Sequence, residues 1–477
     1  MGNNLEAWCQ FSRHLGRAVR SNRHVPPIRS FSNVLHDLSS RGFIQQVTSP
    51  TELENALRSR QVIYCGVDPS ASSLHVGNLV PLMCLLHFQL GGHTIIPLIG
   101  GATGLVGDPS GKKTEREPVN VAQVERNVDL LTENIRAFFR RGFLYAKSRL
   151  LSVSGITPDP EVKSNLEWHK NFSMLEFLRE VGVHARINTM LSKESVKTRL
   201  ESSSGISFTE FTYQLLQAYD FYHLHSAFGC TVQIGGSDQW GNIVAGLEFI
   251  NRLNSSKSSE DQKAFGITTP LLTTSSGEKF GKSTGNAIWL DPQLTSIFDF
   301  YQYFLKVEDF EVERYLKIFT LLPLSEIEMI MEAHQSEPDQ RIPQRRLAAE
   351  VTELIHGAQG VQRAETMTKV VFRHPNSKDH TFDAQSLIDA FTGDPRMSLC
   401  EENELTSVPL VKLASKYGLV PSTSAARHLV QSKGLYFNGH VVQDVHFTLK
   451  KNNLLDGRAV MVRAGKDKVI ILAAAGN

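Results

Sequence analysis

The chain has 477 residues, of which 41% are hydrophobic and 21% charged, with 50 Lys and Arg against 49 Asp and Glu. This length allows two or three domains, and no apolar run approaches the roughly 18 residues that a membrane-spanning helix needs, so we expect a soluble protein with no membrane partner. The five cysteines form no C-x-x-C pair and no metal-binding spacing, which favours a reducing compartment and no protein-held metal. The balanced charge neither indicates nor excludes nucleic acid.

The first 35 residues differ from the rest of the chain. They contain five arginines, no lysine and a single acid, Glu6. This composition is typical of an organelle transit peptide, and the alternative is a disordered basic tail. We predict a transit peptide over 1–35, import into the mitochondrial matrix and removal before about residue 30.

An alternation of helices and strands begins after residue 33. The pattern predicts helix over 33–57 with a break near Gly42, then strands at Val62–Tyr64, Thr94–Leu98 and about Leu150–Val153, with a helix to Leu90 and another over Val121–Arg140. Alternation of this kind predicts an α/β fold with a doubly wound parallel sheet, and ligands then bind at the carboxyl ends of the strands.

The junction after the first strand is the strongest candidate for such a site. Gly66, Asp68 and Pro69 break the strand, and an apolar helical pattern with a serine cap begins at Ser72 or Ser73. A helix N-terminus of this kind suits a phosphate, with His75 adding a hydrogen bond and Gly77 allowing close approach. Pro81 would bend this helix unless it lies in the first turn.

Two short motifs carry a resemblance to a known family. His75-Val76-Gly77-Asn78 resembles the HIGH signature of class I aminoacyl-tRNA synthetases, and Lys279-Phe280-Gly281-Lys282-Ser283, about two hundred residues later, resembles their KMSKS signature. Taken alone, the first motif is equally explained by a capping histidine and a packing glycine. The order of the two motifs, and the surrounding Y-C-G-V-D-P-S stretch, make the chain similar to tyrosyl-tRNA synthetases in particular.

The glycine-rich stretch Gly100–Lys112 is not a P-loop. Only three residues separate Gly107 from Gly111, and Lys113 occupies the position that requires a hydroxyl. The stretch is similar to a G-D-P-S-G-K segment of tyrosyl enzymes. The resemblance implies that Asp108 binds the amino group of the substrate and that Lys112 and Arg116 approach pyrophosphate from a mobile loop.

A helical insertion is predicted at about residues 160–230. Within it Tyr213, Gln217 and Asp220 occur at i, i+4 and i+7, which places three polar groups on one helical face among apolar neighbours, so this face is predicted to line a pocket. The resemblance implies that Tyr213 and Gln217 bind the ammonium group of tyrosine. It implies that Asp220, together with Tyr64, binds the phenolic hydroxyl.

A second strand–glycine–helix junction follows at Thr231–Asn242. Glycines there allow a sugar to approach, and a carboxylate can hold ribose hydroxyls. The resemblance implies that Gln233 and Gln239 lie on the amino-acid side. Pro270–Leu272 is predicted to be the strand before the second signature.

The resemblance implies one set of residues for ATP binding and one for catalysis. The residues implied in ATP binding are Asp68, Ser70, His75, Gly77, Asn78, Gly236, Asp238, Leu272 and Lys282, and those implied in catalysis are His75, Lys112, Arg116, Lys279, Lys282 and Ser283.

The chain after residue 35 is predicted to form three domains and a linker, with RNA binding in its C-terminal part. Residues 36–290 are predicted to be the catalytic domain, 291–385 a helical anticodon-side domain and 386–405 a linker with a helix from Ala384. Residues 406–477 carry ten Lys and Arg against three Asp and contain a helix leading to a hairpin with Asn438-Gly439 at its turn. This part resembles the small α+β RNA-binding domain of many tyrosyl enzymes.

The resemblance covers about residues 36–477 and implies a mitochondrial-type tyrosyl-tRNA synthetase. It implies ATP with Mg²⁺ as the substrate complex, tyrosine and tRNA as partners, and a homodimer. A tryptophanyl-tRNA synthetase shares the fold and both signatures and is the nearest alternative. An RNA-binding splicing or assembly protein on a synthetase scaffold is the second alternative.

Overall fold

The computed structural model describes residues 34–110, 120–149, 159–201, 205–254, 263–273, 280–283, 286–372, 382–465 and 468–475. These residues form two compact units. The larger includes the chain up to Ser296 and Gln302–Ile355, and the smaller includes Ile297–Tyr301 and the chain from His356. Within the described ranges, no helix is both long enough and apolar enough to cross a membrane.

The larger unit is built on a six-stranded sheet. Its strands are β1 (Gln46–Val47), β2 (Val62–Val67), β3 (Thr94–Ile99), β4 (Lys163–Ser164), β5 (Cys230–Gly236) and β6 (Phe265–Thr269), in the order β1-β6-β5-β2-β3-β4. All neighbours pair in parallel except β1, which is antiparallel to β6. The chain winds outward in both directions from β2, so the predicted doubly wound parallel sheet is confirmed. In such sheets the ligand crevice lies where the winding reverses, here between β2 and β5.

Eleven α-helices accompany this sheet within the described residues before position 255. They are α1 (Val34–Ser40), α2 (Pro50–Ala56), α3 (Leu79–Leu90), α4 (Gly101–Val106), α5 (Val121–Arg149), α6 (Leu166–His169), α7 (Met174–Glu180), α8 (Ile187–Leu191), α9 (Glu194–Leu200), α10 (Phe208–Phe228) and α11 (Trp240–Asn254). The predicted helical insertion corresponds to α6–α10. A core on one face joins Tyr64 of β2 to Phe221 of α10 and Ile243 of α11, so burial of apolar side chains fixes α10 against the strand ends.

Several predicted boundaries differ from the structure. The strand before the second signature is β6, which ends at Thr269, so the prediction of a strand at Pro270–Leu272 is wrong; proline cannot donate to a ladder and ends the strand. The predicted helix over 33–57 is two helices separated by β1. β1 is only two residues long, which is too short for strand periodicity to show in the sequence. The predicted strand at about Leu150–Val153 lies outside the described residues.

The chain after residue 296 is helical, as predicted, as far as residue 371. It comprises α12 (Ile297–Leu305), α13 (Asp309–Phe319), α14 (Leu324–Ser336) and α15 (Ile342–Val371). The glycine expected to close the last of these, Gly357, has φ 76° and interrupts the helix, but a second helical segment continues beyond it.

The smaller unit contains a five-stranded sheet in the order β11-β10-β12-β13-β9. Its strands are β9 (Met397–Cys400), β10 (Leu435–Phe437), β11 (His440–Val441), β12 (Ala459–Ala464) and β13 (Lys468–Ala474), with helices α16 (Ala384–Phe391), α17 (Glu402–Ser407), α18 (Leu410–Lys416) and α19 (Thr423–Gln431). Asn438 and Gly439 have φ 44° and 87°, the positive angles that a tight hairpin turn needs, so the predicted hairpin is confirmed.

The predicted linker at 386–405 differs most from the structure. It contains the end of α16, all of β9 and the start of α17. β9 pairs in parallel with β13, and Leu387 and Phe391 of α16 are fully buried with Ile471. The polar surface of this segment suggested a linker, but its few apolar residues are those that a sheet edge buries.

Candidate active site

A cavity of about 400 Å³ opens at the carboxyl ends of β2 and β5. Each predicted site residue whose side chain the structure describes lines it: Tyr64, Asp68, Ser70, His75, Gly77, Asn78, Asp108, Tyr213, Gln217, Asp220, Gln233, Gly236, Asp238, Gln239 and Leu272. These residues come from segments up to 208 positions apart in the chain, counted from Tyr64 to Leu272. The polar face predicted on α10 therefore does face a pocket.

The two signature stretches meet at the mouth of this cavity. The backbone N–H of Val76 donates to Ile288 O at 2.9 Å, and that of Leu290 donates to Leu74 O at 2.9 Å. Gly281 has φ 91°, and a Cβ at this position would lie 3.1 Å from the backbone nitrogen of Gly77. Glycine is thus required there both for its backbone conformation and for the close approach of the two loops. The backbone of Lys282–Ser283 continues from this contact as a short strand paired with Asn286–Ala287.

The helix after the first signature begins later than predicted. Residues Val76–Asn78 form a 3₁₀ turn, and α3 begins at Leu79, so the predicted serine cap at Ser72 or Ser73 is wrong. His75 occupies the cap position instead, and its backbone N–H donates to Asn78 Oδ1 at 3.0 Å. Pro81 consequently lies in the first turn of α3, where its missing N–H costs no hydrogen bond.

The carboxylate of Asp220 lies deep in the cavity among several donors. Trp168 Nε1 donates to its Oδ1 at 2.8 Å, His169 Nε2 lies 2.7 Å from the same oxygen, and Asn165 Nδ2 donates to Oδ2 at 2.9 Å. Asp220 is only 2% exposed. These donors occupy most of the acceptor sites of the buried carboxylate, which offsets the free-energy cost of removing it from water.

Three buried polar atoms around the cavity lack a hydrogen-bond partner among the described residues. They are the Tyr64 hydroxyl, Gln217 Oε1 and Gln233 Oε1. Burial raises the pKa of Tyr64 well above its usual range, and the nearby charge of Asp220 adds to this shift, so the hydroxyl keeps its proton. Buried polar groups normally have partners, so these atoms indicate where a polar ligand would bind.

Two further carboxylates line the cavity between Asp220 and the signature stretches. Asp68 accepts hydrogen bonds from the hydroxyls of Tyr213 at 2.8 Å and Thr103 at 2.7 Å. Asp108 accepts from Gln239 Nε2 at 2.6 Å and from the backbone of Ser110. Burial, with the charges of these two aspartates, raises the pKa of Tyr213 well above its usual range, so Tyr213 remains a donor.

Four residues that hold these carboxylates were not predicted. Thr103 and Asn165 are hydrogen-bonded to each other, and Trp168 and His169 both lie on α6. A four-residue helix is too short to show periodicity, so no sequence pattern singles them out. Their only signal is chemical, since Asn, Trp and His occur within five positions of an otherwise ordinary segment.

Three predicted site residues belong to segments that the structure does not describe. Lys112, Arg116 and Lys279 lie outside the described residues. No group of three His, Cys, Asp or Glu side chains within the described ranges is arranged to hold a metal ion.

Comparison with known proteins identifies two family models that match the chain. The family of class I tRNA synthetases for tryptophan and tyrosine (W and Y) matches residues 56–373, and the tyrosine–tRNA ligase SYY-like C-terminal domain matches residues 387–472. Fold and pocket thus define a class I aminoacyl-tRNA synthetase.

Three individual relatives that match most of the chain are tyrosine–tRNA ligases. The mitochondrial tyrosine–tRNA ligase of Saccharomyces cerevisiae is 40% identical over 451 residues, covering 92% of this chain and 88% of the relative. Tyrosine–tRNA ligase 1 of Bacillus subtilis is also 40% identical, over 92% of this chain and 99% of that relative. A C-terminally truncated mitochondrial tyrosyl-tRNA synthetase of Aspergillus nidulans superposes with a TM-score of 0.65 at 34% identity, over 78% of this chain and 100% of that one.

The chain belongs to the tyrosyl-tRNA synthetase family. The predicted enzyme class, a tyrosine–tRNA ligase, is confirmed, and the tryptophanyl alternative is not favoured.

Proposed function

We propose that the cavity binds tyrosine and ATP side by side, and that the tyrosine carboxylate attacks the α-phosphate to give tyrosyl-adenylate and pyrophosphate. The tyrosyl group is then transferred to the terminal ribose of the tRNA. The observation that carries this proposal is the unpartnered Tyr64 hydroxyl beside the Asp220 carboxylate, in a cavity whose mouth is formed by both signature stretches.

The phenol end of tyrosine is assigned to Tyr64 and Asp220. A phenolic hydroxyl can donate to the carboxylate and accept from the Tyr64 hydroxyl, which satisfies both groups at once. The raised pKa of Tyr64 supports its role as a donor. Phenylalanine would leave both buried groups unpaired, so the same two residues account for specificity.

The ammonium end is assigned to the next layer of the cavity. Asp108 supplies negative charge, Tyr213 and Gln217 supply oxygen atoms, and Gln233 and Gln239 line the amino-acid side. Asp68, which the resemblance implied on the ATP side, is bonded to Tyr213 and therefore adjoins this layer as well. An ammonium group has three donors and no acceptor, which matches this set of oxygen atoms.

The nucleotide is assigned to the signature stretches and to the end of β5. Gly77 and Gly236 leave room for close approach, Asp238 suits ribose hydroxyls, and Leu272 adjoins the adenine position. His75, Ser70 and Asn78 line the cavity at and before the 3₁₀ turn and are assigned to the phosphates. Lys112, Arg116, Lys279, Lys282 and Ser283 are assigned to pyrophosphate from the resemblance.

No protein base is required in the first step, because the substrate carboxylate is already the nucleophile. Catalysis then comes from orientation and from cations whose contacts strengthen as charge moves onto pyrophosphate. Mg²⁺ enters as part of the ATP substrate, held by phosphate oxygens and water.

We assign the enzyme to the mitochondrial matrix. Mitochondrial relatives support a mitochondrial location, and the arginine-rich, acid-poor segment 1–35 supports import. Cleavage before residue 34 is supported by the packing of α1: Val34 and Leu38 are buried, and Arg41 donates to backbone carbonyls at Thr320 and Leu322. A mature chain that began later would lose these contacts.

The smaller unit is assigned to RNA binding. Lys412 on α18 and Arg427, His428 and Lys433 on and after α19 are exposed, whereas Arg463 is buried and donates to the backbone of Val370 and Val371. The exposed cations suit a phosphate backbone, and Arg463 serves the fold. We propose the boundaries 36–290, 291–385 and 406–477 for the catalytic, anticodon-side and RNA-binding domains.

We assign the dimer contact to the apolar surface of the insertion. Met174 and Leu175 of α7 are 70% and 79% exposed, and Ile187 of α8 is 64% exposed. Large exposed apolar side chains grouped on neighbouring short helices are typical of an interface, and a second copy of this chain is the partner that the family implies. Sedimentation of Leu175→Glu should show a shift from dimer to monomer.

Pyrophosphate exchange into ATP tests the proposed reaction. The full chain is supplied in turn with tyrosine, tryptophan and phenylalanine. Exchange with tyrosine alone is expected. Exchange with tryptophan would overturn the assignment of Tyr64 and Asp220, and no exchange with any of the three would favour an RNA-binding protein on a synthetase scaffold.

A further inference from the structure

His169 contacts Asp220 although no substrate group requires a histidine there. Its side chain is 6% exposed, that of Asp220 is 3% exposed, and Nε2 lies 2.7 Å from Oδ1. Asp220 already accepts from Trp168 at Oδ1 and from Asn165 at Oδ2, so we assign it as the acceptor in this contact as well and His169 Nε2 as the donor.

We propose that His169 positions Asp220 for specificity: together with Trp168 it occupies Oδ1 and leaves Oδ2 for the phenolic hydroxyl of tyrosine. The proposal rests on the proposed role of Asp220 in binding that hydroxyl. His169 acts through Asp220 and is a positioning residue.

A count of the acceptor sites on the Asp220 carboxylate supports the proposal that Oδ2 is left for the phenol. A carboxylate offers about four acceptor sites, two on each oxygen. Trp168 and His169 occupy both sites of Oδ1, and Asn165 occupies one site of Oδ2. The site that remains is on Oδ2. If His169 did not donate, Oδ1 would offer a second site and the phenol could bind in two ways.

The three donors are themselves held in place. Asn165 Oδ1 accepts from the backbone of Ala102 at 2.7 Å, and its Nδ2 also donates to Thr103 at 3.1 Å. The Trp168 ring stacks on His223 at 4.4 Å, and the His169 ring lies 5.6 Å from that of Tyr219. Fixed donors keep the carboxylate in one rotamer before tyrosine arrives, which reduces the cost of binding.

Two substitutions separate the hydrogen bond from packing. His169→Phe keeps an aromatic ring beside Tyr219 but removes the donor, whereas His169→Gln keeps an N–H near the position of Nε2. His223→Phe is the matched control, because His223 stacks on Trp168 and has no hydrogen bond to Asp220 among those described. Each full-length variant is assayed by pyrophosphate exchange with tyrosine and with phenylalanine.

We expect His169→Phe to raise KM for tyrosine about tenfold with kcat within about twofold, and to lower the ratio of kcat/KM for tyrosine over phenylalanine by a similar factor. His169→Gln should restore most of this ratio, and His223→Phe should leave it within about twofold of the wild type. If His169→Phe does not fold, His169→Leu provides a second variant without the donor.

Three results would overturn the proposal. They are an unchanged ratio in His169→Phe, a loss in His169→Gln as large as in His169→Phe, or an equal loss in His223→Phe. Tyr64→Phe distinguishes a wrong role for His169 from a wrong phenol site. If Tyr64→Phe lowers the ratio and His169→Phe does not, only the role of His169 is wrong. If Tyr64→Phe leaves the ratio unchanged, the phenol site itself is wrong.

Discussion

The two ends of the cavity are built in different ways. At the end proposed to bind tyrosine, side chains from β2, α6 and α10 are buried together, and Tyr64 is 1% and Asp220 is 2% exposed. At the nucleotide end, glycines and backbone groups predominate, and His75, Gly77, Asn78, Gly236 and Asp238 are all partly exposed.

This difference indicates a division of labour. Buried polar groups penalise a ligand that leaves them unpaired, so we propose that the end with Tyr64 and Asp220 selects the amino acid. Cations and N–H donors stabilise charge that develops on a phosphate, so we propose that the end with the signature stretches accelerates the reaction. Substitutions at one end should therefore change binding, and substitutions at the other should change rate.

The largest expected effect is at the nucleotide end. We expect Lys282→Ala to lower the rate of tyrosine activation by about 10³, because a cation that stabilises the departing pyrophosphate is lost. Single-turnover formation of tyrosyl-adenylate measures this rate. Comparable losses of rate and of tyrosine affinity would contradict the division.

The next effect is at the tyrosine end. We expect Asp220→Asn to lower kcat/KM for tyrosine in pyrophosphate exchange by about 100-fold. The reason is that the phenol and the three buried donors would all lose a charged acceptor. Asp238→Asn is the matched control, since it should raise KM for ATP and leave KM for tyrosine nearly unchanged. If Asp220→Asn changed KM for ATP more than KM for tyrosine, the assignment of Asp220 to the phenol site would be wrong.

A smaller effect is expected from Tyr64→Phe. This change removes one hydroxyl and keeps the ring that packs on Phe221. The preference for tyrosine over phenylalanine should fall by roughly 10-fold, because the phenol loses one donor and phenylalanine no longer leaves the Tyr64 hydroxyl unpaired. The ratio of kcat/KM values for the two amino acids measures it, and an unchanged preference would remove Tyr64 from the phenol site.

The smallest effects are expected outside the cavity. The double change Arg427→Ala and Lys433→Ala should weaken tRNA binding several-fold at low salt and reduce the slope of log K against log salt by roughly 1.5. Lys451→Ala is the control, because Lys451 pairs with Glu402 at 2.8 Å within the same unit. Equal slopes for the double variant and the wild type would remove these cations from the RNA surface.

The same comparison explains what could be predicted from sequence. The nucleotide end depends on contiguous signatures, so His75 to Asn78 and Lys279 to Ser283 can be recognised directly. The face of α10 could be predicted because 21 residues give helical periodicity enough length to show.

The remainder depends on contacts between distant segments. The donors around Asp220 come from α6, a four-residue helix some fifty positions upstream, and from the residue before it, and nothing local marks them. The helix start after His75 was misplaced because Ser72 and Ser73 match a capping pattern, although the backbone pairing with Ile288 extends the chain as far as Val76. Long-range pairing overrode local propensity at both places.

The most direct test of the division of labour is equilibrium binding of tyrosine in the absence of ATP to the wild type, Lys282→Ala and Asp220→Asn. The account predicts that Lys282→Ala binds tyrosine within about twofold of the wild type, whereas Asp220→Asn binds at least about tenfold more weakly. Equal weakening in the two variants, or wild-type binding by Asp220→Asn, would contradict it.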